Sequence, residues 1–311
     1  MSTTAFLFPG QGAQHAGMGR DLHDAFPAAR ARFEEANDLL GFDLTALMFS
    51  DDAEALRQTD ITQPALYLHS LVVMALLEAR GEAPAMVAGH SLGEYSALAA
   101  AGALTFADGL RIVRLRGQLM AGAGQERPGT MAAVLGLDDE ALEAVCAEAT
   151  TGADSLVQPA NYNAPGQIVI SGDVDAVARA VDIAPSHGAR RVVPLSVSGA
   201  FHSPLMAEAR DGLAEGLQSL RIQPPRCPVY LNVSAQPTTD PDAIRQGLLD
   251  QLTAPVRWAQ TLHQMHSDGA TRFAEVGAGK VLSGLVRRTL GREVEAVQYG
   301  TASALGEDVA M

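Results

Sequence analysis

The stretch Met86-Val87-Ala88-Gly89-His90-Ser91-Leu92-Gly93-Glu94-Tyr95 decides how this chain folds and where its chemistry lies. Its apolar beginning predicts a short buried strand, its middle a tight turn that carries a serine, and its end a helix. The turn is Gly-x-Ser-x-Gly, the pattern of a nucleophile elbow, in which a sharp reversal exposes the serine hydroxyl above a sheet. Gly89 and Gly93 suit such a turn because the strand and helix backbones nearly touch there. The predicted helix, 92–101, directs its first N–H groups at an oxyanion formed beside Ser91.

The composition of the 311-residue chain excludes several classes of function. A net charge of −14 at pH 7 leaves no excess of basic charge for nucleic-acid binding. No run of 18 apolar residues indicates a membrane span, and the N-terminus lacks the features of a secretory signal. The two cysteines, Cys146 and Cys227, have no metal-ligand spacing and are interpreted as reduced core residues. The sequence therefore predicts a cytoplasmic protein with no metal site and no membrane or nucleic-acid partner.

Strand and helix patterns alternate along the chain and predict an α/β fold. Phe6-Leu7-Phe8 is interpreted as the first strand, followed by a glycine-rich loop that lacks the fingerprint of a nucleotide-binding loop. Helices are predicted over 18–40, 62–79 and 106–120, with Pro64 in the first turn of the second. The elbow places these elements in an α/β-hydrolase-like main domain with a mostly parallel sheet.

A change of texture after Arg127-Pro128-Gly129 predicts an inserted subdomain. The predicted order there is strand, helix, two strands, helix and strand, which is the ferredoxin-like split pattern. We therefore expect a main domain made of residues 1–128 and 198–311 and a small ferredoxin-like subdomain over 129–197. Further helices and strands are predicted after it, the last being a helix that ends near Leu290.

A serine hydroxyl needs a general base, and His202 is the strongest of the eight histidines. It lies in Ser198-Gly199-Ala200-Phe201-His202-Ser203-Pro204, a loop-like context in which catalytic groups are common. The alternative is a hydrogen-bonded structural histidine. His90 adjoins Ser91 and is interpreted as structural or substrate-facing. The acids between Ser91 and His202 have no strand-end context, so a neutral group is an alternative partner for the histidine, which gives a Ser-His dyad.

Arg116 stands out because the helical spacing places it on an apolar face. Arg111 and Arg114 lie on a different side of the same helix and are interpreted as a solvated face. A guanidinium on an apolar face needs an anionic partner, since an unpaired buried charge is costly. That partner is either a carboxylate of the protein or a carboxylate of the substrate.

The chain resembles the malonyl-CoA:acyl-carrier-protein transacylase family almost from end to end. Nine ordered motifs carry the resemblance: Phe8-Pro9-Gly10-Gln11-Gly12-Ala13-Gln14, Ile61-Thr62-Gln63-Pro64, Gly89-His90-Ser91-Leu92-Gly93-Glu94, Arg116-Gly117-Gln118-Leu119-Met120, Asn161-Tyr162-Asn163-Ala164-Pro165-Gly166-Gln167, Phe201-His202-Ser203-Pro204-Leu205-Met206, Gln251-Leu252, Pro255-Val256-Arg257-Trp258 and Gly279-Lys280-Val281-Leu282. Gly199-Ala200-Phe201-His202 resembles the malonyl-selective version of its motif.

The resemblance implies a role for each site residue. Ser91 takes the acyl group, His202 is general base and then general acid, and the N–H groups of Gln11 and Leu92 form the oxyanion hole. The backbone carbonyl of Gln251 holds the histidine, and Arg116 pairs with the malonyl carboxylate. Gln63, Asn161, Asn163 and Gln167 match polar positions that line or support the family's cleft; the alternative for these amides is local hydrogen bonding in loops and at helix starts. His90 is a further candidate for substrate binding.

The implied reaction is a ping-pong transfer of malonyl from malonyl-CoA to the phosphopantetheine thiol of acyl carrier protein. No cofactor is implied beyond the CoA thioester substrate, and a monomer is expected. A dry cleft between main domain and subdomain would favour the thiol over water. The family's carrier is acidic, so positive charge is expected near the cleft mouth, with the candidates Arg190, Arg191, Lys280, Arg287 and Arg288.

Two other readings of the sequence remain open. A serine esterase or thioesterase would use the same elbow but transfer the acyl group to water; Arg116 and the missing acid disfavour it. A carrier-binding protein with a vestigial site is the other, and the intact set of Ser91, His202 and Arg116 disfavours it. The sequence does not separate fatty-acid biosynthesis from polyketide biosynthesis.

Overall fold

The computed structural model describes residues 3–51 and 54–306, which form a mixed α/β fold with two sheets. The strands are β1 (Thr4–Phe8), β2 (Met86–Gly89), β3 (Gly129–Leu135), β4 (Val157–Ala164), β5 (Gln167–Asp173), β6 (Arg191–Pro194), β7 (Val229–Tyr230), β8 (Pro237–Thr238), β9 (Arg272–Val276) and β10 (Glu295–Tyr299). The α-helices are α1 (Arg20–Ala25), α2 (Pro27–Leu40), α3 (Leu44–Phe49), α4 (Thr59–Glu78), α5 (Gly93–Ala100), α6 (Phe106–Glu126), α7 (Asp139–Ala149), α8 (Val174–Ile183), α9 (Ala207–Gln218), α10 (Pro241–Asp250), α11 (Trp258–Ser267), α12 (Val281–Leu290) and α13 (Ala302–Leu305).

The larger sheet has the strand order β10-β9-β1-β2-β7-β8 and is parallel except for the last pair. Its central strand β1 is buried from Ala5 to Phe8, which explains why that segment is apolar without alternation. The carboxyl ends of β1 and β2 lie side by side, because Phe8 is in register with Gly89. The glycine-rich loop after β1 and the serine turn after β2 therefore meet at one edge of the sheet, as expected for a ligand site in an open parallel sheet.

The longest apolar helix, α4, packs against α6 in the interior. It is the one described helix long and apolar enough to cross a membrane, but most of it is buried within the protein. It is therefore a core helix, and its apolar character serves packing on several sides.

Helix α4 begins at Thr59, so the sequence prediction that Pro64 lies in its first turn is wrong. Pro64 lies inside the helix and cannot donate to the carbonyl of Asp60, four residues earlier. Arg114 of α6 fills this role, because its guanidinium donates to the Asp60 carbonyl and, at 2.8 Å, to the Asp60 carboxylate. Arg114 also stacks over Phe42, so it is half-buried between elements rather than on a solvated face as expected.

The smaller sheet is antiparallel, with the order β4-β5-β3-β6, and all its strands lie within 129–197. With α7 and α8 it has the predicted element order. On β5, Ile168 and Ile170 join the core formed with α7 and α8, whereas Val169 points to the main hydrophobic core. This alternation gives the sheet one face for its own helices and one face for the rest of the molecule.

Several predicted element boundaries differ from the structure. The helical region 18–40 is two helices, α1 and α2, because Phe26 is extended and Pro27 starts a new helix. The helix predicted over 106–120 continues to Glu126. Strand β4 extends to Ala164, so it includes Asn161 and Asn163, and β10 follows the helix that was expected to be the last element.

Candidate active site

Ser91 lies in the turn between β2 and α5 with a left-handed backbone, φ 52°. This conformation costs a non-glycine residue about 1–2 kcal/mol, so neighbouring groups must hold it. Asn232, which follows β7, does so with both ends of its side chain. Its Oδ1 accepts from Ser91 N at 2.7 Å, and its Nδ2 donates to Gly89 O at 2.7 Å. The elbow is therefore fastened on both sides of the nucleophile.

Glycine is required on both sides of this turn. A Cβ on Gly93 would lie 2.0 Å from the carbonyl oxygen of Phe8, and one on Gly89 would lie 1.8 Å from the carbonyl oxygen of Gly93. These are buried backbone atoms of strand β1 and helix α5, which cannot move aside without a large cost in packing. The predicted Gly-x-Ser-x-Gly elbow is thus present as a close strand-helix contact.

His202 lies over Ser91, with Nε2 at 2.8 Å from the serine Oγ. Its Nδ1 is 2.7 Å from the backbone carbonyl oxygen of Gln251. A carbonyl only accepts, so Nδ1 carries the hydrogen and Nε2 is left to accept from the serine hydroxyl. His202 also has a left-handed backbone, φ 58°, and Gln158 Nε2 donates to its carbonyl at 3.0 Å.

Burial keeps the His202 imidazole neutral. The side chain is 4% exposed, and burial together with the nearby Arg116 charge lowers the pKa of His202 to about 3. The neutral ring is the form that can accept a proton. No carboxylate contacts the ring among the hydrogen bonds of the described residues, which matches a dyad held by a carbonyl.

Arg116 lies beside the nucleophile and is 1% exposed. Its Nη1 donates to Gln63 Oε1 at 2.8 Å. Its Nη2 donates to Gln251 Oε1 at 2.8 Å and to Ser91 Oγ at 3.1 Å. All of these acceptors are neutral, and the guanidinium also lies 5.6 Å from the centre of the Tyr95 ring. A fully charged group with only neutral direct partners is suited to bind an anion next to Ser91.

A cavity of about 110 Å³ lies over Ser91, His202 and Arg116, and a second of about 300 Å³ adjoins it. Both are lined by Gln11 and His90, so the two cavities lie next to each other. Among the described residues, neither the N–H of Gln11 nor that of Leu92 donates to a protein acceptor. Both residues line the inner cavity, where an oxyanion beside Ser91 would be.

Comparison with known proteins agrees with this site. The acyl transferase domain family matches residues 5–307. A malonyl CoA-acyl carrier protein transacylase of Bacillus subtilis is 47% identical over 93% of this chain and 90% of that protein. One of Escherichia coli K12 is 44% identical over 100% of this chain and 98% of its own length.

Solved structures agree with the sequence comparison. An acyl carrier protein S-malonyltransferase from Vibrio cholerae is 43% identical with a TM-score of 0.93, covering 98% of this chain and 99% of that one. A malonyl-transacylase solved in complex with its type II polyketide-synthase acyl carrier protein is 40% identical, also with a TM-score of 0.93, covering 98% of both chains. This chain belongs to the malonyl-CoA:acyl-carrier-protein transacylase family. It is an acyltransferase, as the motifs predict.

In this transacylase-family member, the polar side chains expected around the cleft separate into two groups. Gln63 is fully buried and contacts Arg116, so it supports the arginine from behind. Asn161 lines both cavities, and Asn163 and Gln167 line the outer one. His90 also lines both, with Nε2 2.7 Å from Asn163 Oδ1 and its ring edge against Trp258.

The basic residues expected near the cleft mouth are exposed in this transacylase-family member, and they lie on or directly before α12 and β6. On α12, Arg288 donates to Gln167 Oε1 at 2.9 Å, which places it at the rim of the outer cavity. Lys280 precedes α12, next to Val281, which lines that cavity and is 50% exposed. Arg191 on β6 and Gln167 on β5 both pair with Leu135 of β3, so Arg191 lies at the same end of the small sheet as Gln167. The other two are Arg190, which precedes β6, and Arg287 on α12.

Three residues of this transacylase site were missed by the sequence analysis: Asn232, Gln158 and Glu94. Asn232 follows a strand that pairs with β2, and a polar residue at the carboxyl end of a neighbouring strand is a signal that could have found it. Gln158 is in β4 and reaches His202 from a distant part of the chain, so no local pattern marks it. Glu94 directly follows the elbow and is completely buried, which the structure shows and the sequence pattern does not. Within the described residues, no three His, Cys, Asp or Glu side chains are grouped so as to hold a metal ion.

Proposed function

We propose that this protein transfers the malonyl group of malonyl-CoA to the phosphopantetheine thiol of an acyl carrier protein through a malonyl ester on Ser91. The observation that carries the proposal is the position of Arg116, 3.1 Å from the Ser91 hydroxyl and buried with no carboxylate of residues 3–51 or 54–306 bonded directly to it. An acyl chain on Ser91 that ends in a carboxylate supplies the missing anion at this place. The names of the relatives support the same substrates.

In the first half of the reaction, His202 Nε2 takes the proton of the Ser91 hydroxyl, and Oγ attacks the thioester carbonyl carbon. The backbone N–H groups of Gln11 and Leu92 receive the developing oxyanion. The carbon–sulfur bond then breaks, and the protonated His202 returns the proton to the departing CoA sulfur. Gln251 stabilises the charged imidazole through its backbone carbonyl, in the place where a triad would have an acid.

The second half reverses these steps with a different thiol. His202 takes the proton of the phosphopantetheine thiol, and the sulfur attacks the carbonyl carbon of the Ser91 ester. The bond between that carbon and the serine Oγ then breaks, and His202 returns the proton to Oγ. The segment 129–197 acts as one wall of the cleft: Ala133, Val169 and Leu195 line the outer cavity. We interpret this segment as a ferredoxin-like subdomain on an α/β-hydrolase-like main domain, and its apolar lining favours a thiol over water.

We place carrier docking at the rim of the outer cavity, on the exposed residues around α12 and β6. Val281 offers an apolar contact, and Lys280, Arg287, Arg288, Arg190 and Arg191 offer positive charge against an acidic carrier. The complex of a 40%-identical malonyl-transacylase with its carrier protein supports a carrier as partner. Monomeric state and cytoplasmic location stay predictions from the sequence.

Intact-protein mass spectrometry with malonyl-CoA tests the covalent step. The wild-type chain should gain one malonyl group, Ser91→Ala should gain none, and added acyl carrier protein should remove the group by becoming malonylated. Fast release of free malonate without labelling of the carrier would instead indicate a thioesterase. Failure of the wild type to acylate would favour a protein with a vestigial site.

For docking, Lys280→Glu should raise the KM for carrier protein several-fold and leave the KM for malonyl-CoA unchanged. Arg111→Glu makes the same change of charge on the exposed face of α6 and serves as the matched control.

A further inference from the structure

We infer that Glu94 is a positioning residue: through the side-chain amide of Gln251 it holds Arg116 ready for the acyl carboxylate while keeping that site open. The inference rests on the proposed function. Glu94 belongs to the first turn of α5, directly behind the elbow, and its side chain is completely buried. Glu94 does not contact His202, so it is not the acid of a triad. The side-chain amide of Gln251 lies between Glu94 and the reacting groups.

The contacts of Gln251 make the connection. Its Nε2 donates to Glu94 Oε2 and, at 2.9 Å, to the carbonyl oxygen of Ser91. Its Oε1 accepts from Arg116 Nη2 at 2.8 Å. The backbone carbonyl of the same residue holds His202. One glutamine therefore touches the carboxylate, the guanidinium and the general base.

Donor and acceptor chemistry lets Glu94, together with the Ser91 carbonyl oxygen, set the direction of this amide. A guanidinium only donates and a carboxylate only accepts, so the amide satisfies both neighbours in one orientation, with oxygen towards Arg116 and nitrogen towards Glu94. If residue 94 could also donate, only the Ser91 carbonyl oxygen would still hold the amide nitrogen on that side, and the turned orientation would become accessible. The amide would then present its NH₂ to the Arg116 guanidinium, and two donors would face each other next to the nucleophile.

The charge arrangement explains why an amide lies between the two ions. A buried guanidinium needs a negative charge nearby, because desolvation of an unpaired charge is costly. A direct ion pair with Glu94 would use the guanidinium edge that an incoming carboxylate needs. With Gln251 between them, the Glu94 carboxylate compensates the charge of Arg116 without contacting it, and the direct partners of the guanidinium stay neutral. The substrate carboxylate therefore meets an arginine that is oriented but not yet ion-paired.

The test compares two acyl groups that differ in the carboxylate. We measure kcat/KM for malonyl-CoA and for acetyl-CoA with carrier protein at about pH 8, where Glu94 is ionised although burial raises its pKa to about 7, and follow their ratio. In Glu94→Gln the ratio should fall about tenfold or more, since one misplaced charge-assisted hydrogen bond is worth a factor of this order. Glu94 Oε1 also accepts from Asn232 N at 3.3 Å, but damage to the elbow by this route lowers both transfers alike and leaves the ratio unchanged.

Glu275→Gln is the matched control. Glu275 is also completely buried, and its carboxylate accepts from the N–H groups of Leu282 and Ser283 at the start of α12, away from Arg116. This variant should lose thermal stability, as Glu94→Gln should, but keep the malonyl-to-acetyl ratio of the wild type. An unchanged ratio in Glu94→Gln would overturn the inference.

A double-variant cycle tests whether Glu94 acts through Gln251. Gln251→Met keeps the backbone carbonyl for His202 and removes the amide, so the ratio should fall to a similar extent. Combining it with Glu94→Gln should add little further loss; full additivity would show that Glu94 acts by another route. If Glu94→Gln does not fold, Gln251→Met alone decides, because a wild-type ratio there contradicts the connection. A wild type that forms no malonyl ester overturns the proposed function and this inference together, whereas a malonyl-selective wild type with insensitive variants overturns the inference alone.

Discussion

At the scale of single residues, the two reacting groups share an unusual backbone state. Ser91 and His202 both have a positive φ, and only one other non-glycine residue among those described does. Each conformation is held by a side-chain amide from a distant element, Asn232 for the serine and Gln158 for the histidine. The cost of each strained residue is about 1–3 kcal/mol, and the hydrogen bonds that offset it also fix the distance between Oγ and Nε2.

The residue-scale prediction concerns Arg116. Arg116→Ala should lower malonyl transfer at least about 100-fold, because two charge-assisted hydrogen bonds to the acyl carboxylate are lost, and should largely spare acetyl transfer. Steady-state kinetics with both acyl-CoA substrates measures the change. Arg114→Ala, two residues away on the same helix, is the control: it loses the Asp60 contacts and stability but should keep the malonyl-to-acetyl ratio. Equal loss of both activities in Arg116→Ala would mean that the arginine is structural.

At the scale of elements, the local patterns predicted most of the fold. The elbow and the strand-helix order of 129–197 depend on neighbours in sequence. The contact between the first loop and the serine turn depends on parallel strand pairing and was implied only by the family resemblance. The sequence pattern failed where a distant group decides. Pro64 is tolerated inside α4 because Arg114 donates to the Asp60 carbonyl in place of the missing N–H. Arg114 belongs to α6, so the sequence of α4 alone does not reveal this contact. The same reason explains why Gln158 was missed.

The element-scale prediction concerns the contact of α5 with β1. Gly93→Ala places a Cβ 2.0 Å from Phe8 O, so the helix must move away from the strand, and the free energy of unfolding should fall by about 3 kcal/mol or more. Transfer should fall too, since Leu92 N–H moves with the helix. Urea unfolding and the transfer assay measure these effects. Gly122→Ala is the control within α6, where a Cβ meets no atom within 4 Å; it should stabilise by about 0.5–1 kcal/mol. Similar losses at both glycines would contradict the close contact.

At the scale of the whole molecule, buried ionisable groups make stability depend on pH. Burial lowers the pKa of His69 to about 4 and of His202 to about 3, from 6.5, and raises the pKa of Glu94 to about 7 from 4.5. The histidines contribute stability above pH 6.5 that is lost on acidification, since the unfolded chain then binds protons that the folded chain does not. Glu94 acts in the opposite direction, because its carboxyl is protonated in the folded state at a pH where the unfolded chain keeps it ionised.

These opposing effects give a net prediction. Between about pH 7 and pH 5, His69 and His202 each cost roughly 2 kcal/mol and Glu94 returns roughly 2 kcal/mol. Burial also lowers the pKa of His90, so the free energy of unfolding should fall by at least about 2 kcal/mol. His69→Leu removes one histidine outside the site, so the fall should shrink by about 2 kcal/mol. His263→Leu, on the exposed side of α11, is the control and should show the wild-type fall. Urea unfolding at both pH values measures the difference for each chain. A His69→Leu variant that loses as much as the wild type would contradict the prediction, because the acid sensitivity would then come from groups other than the buried histidines.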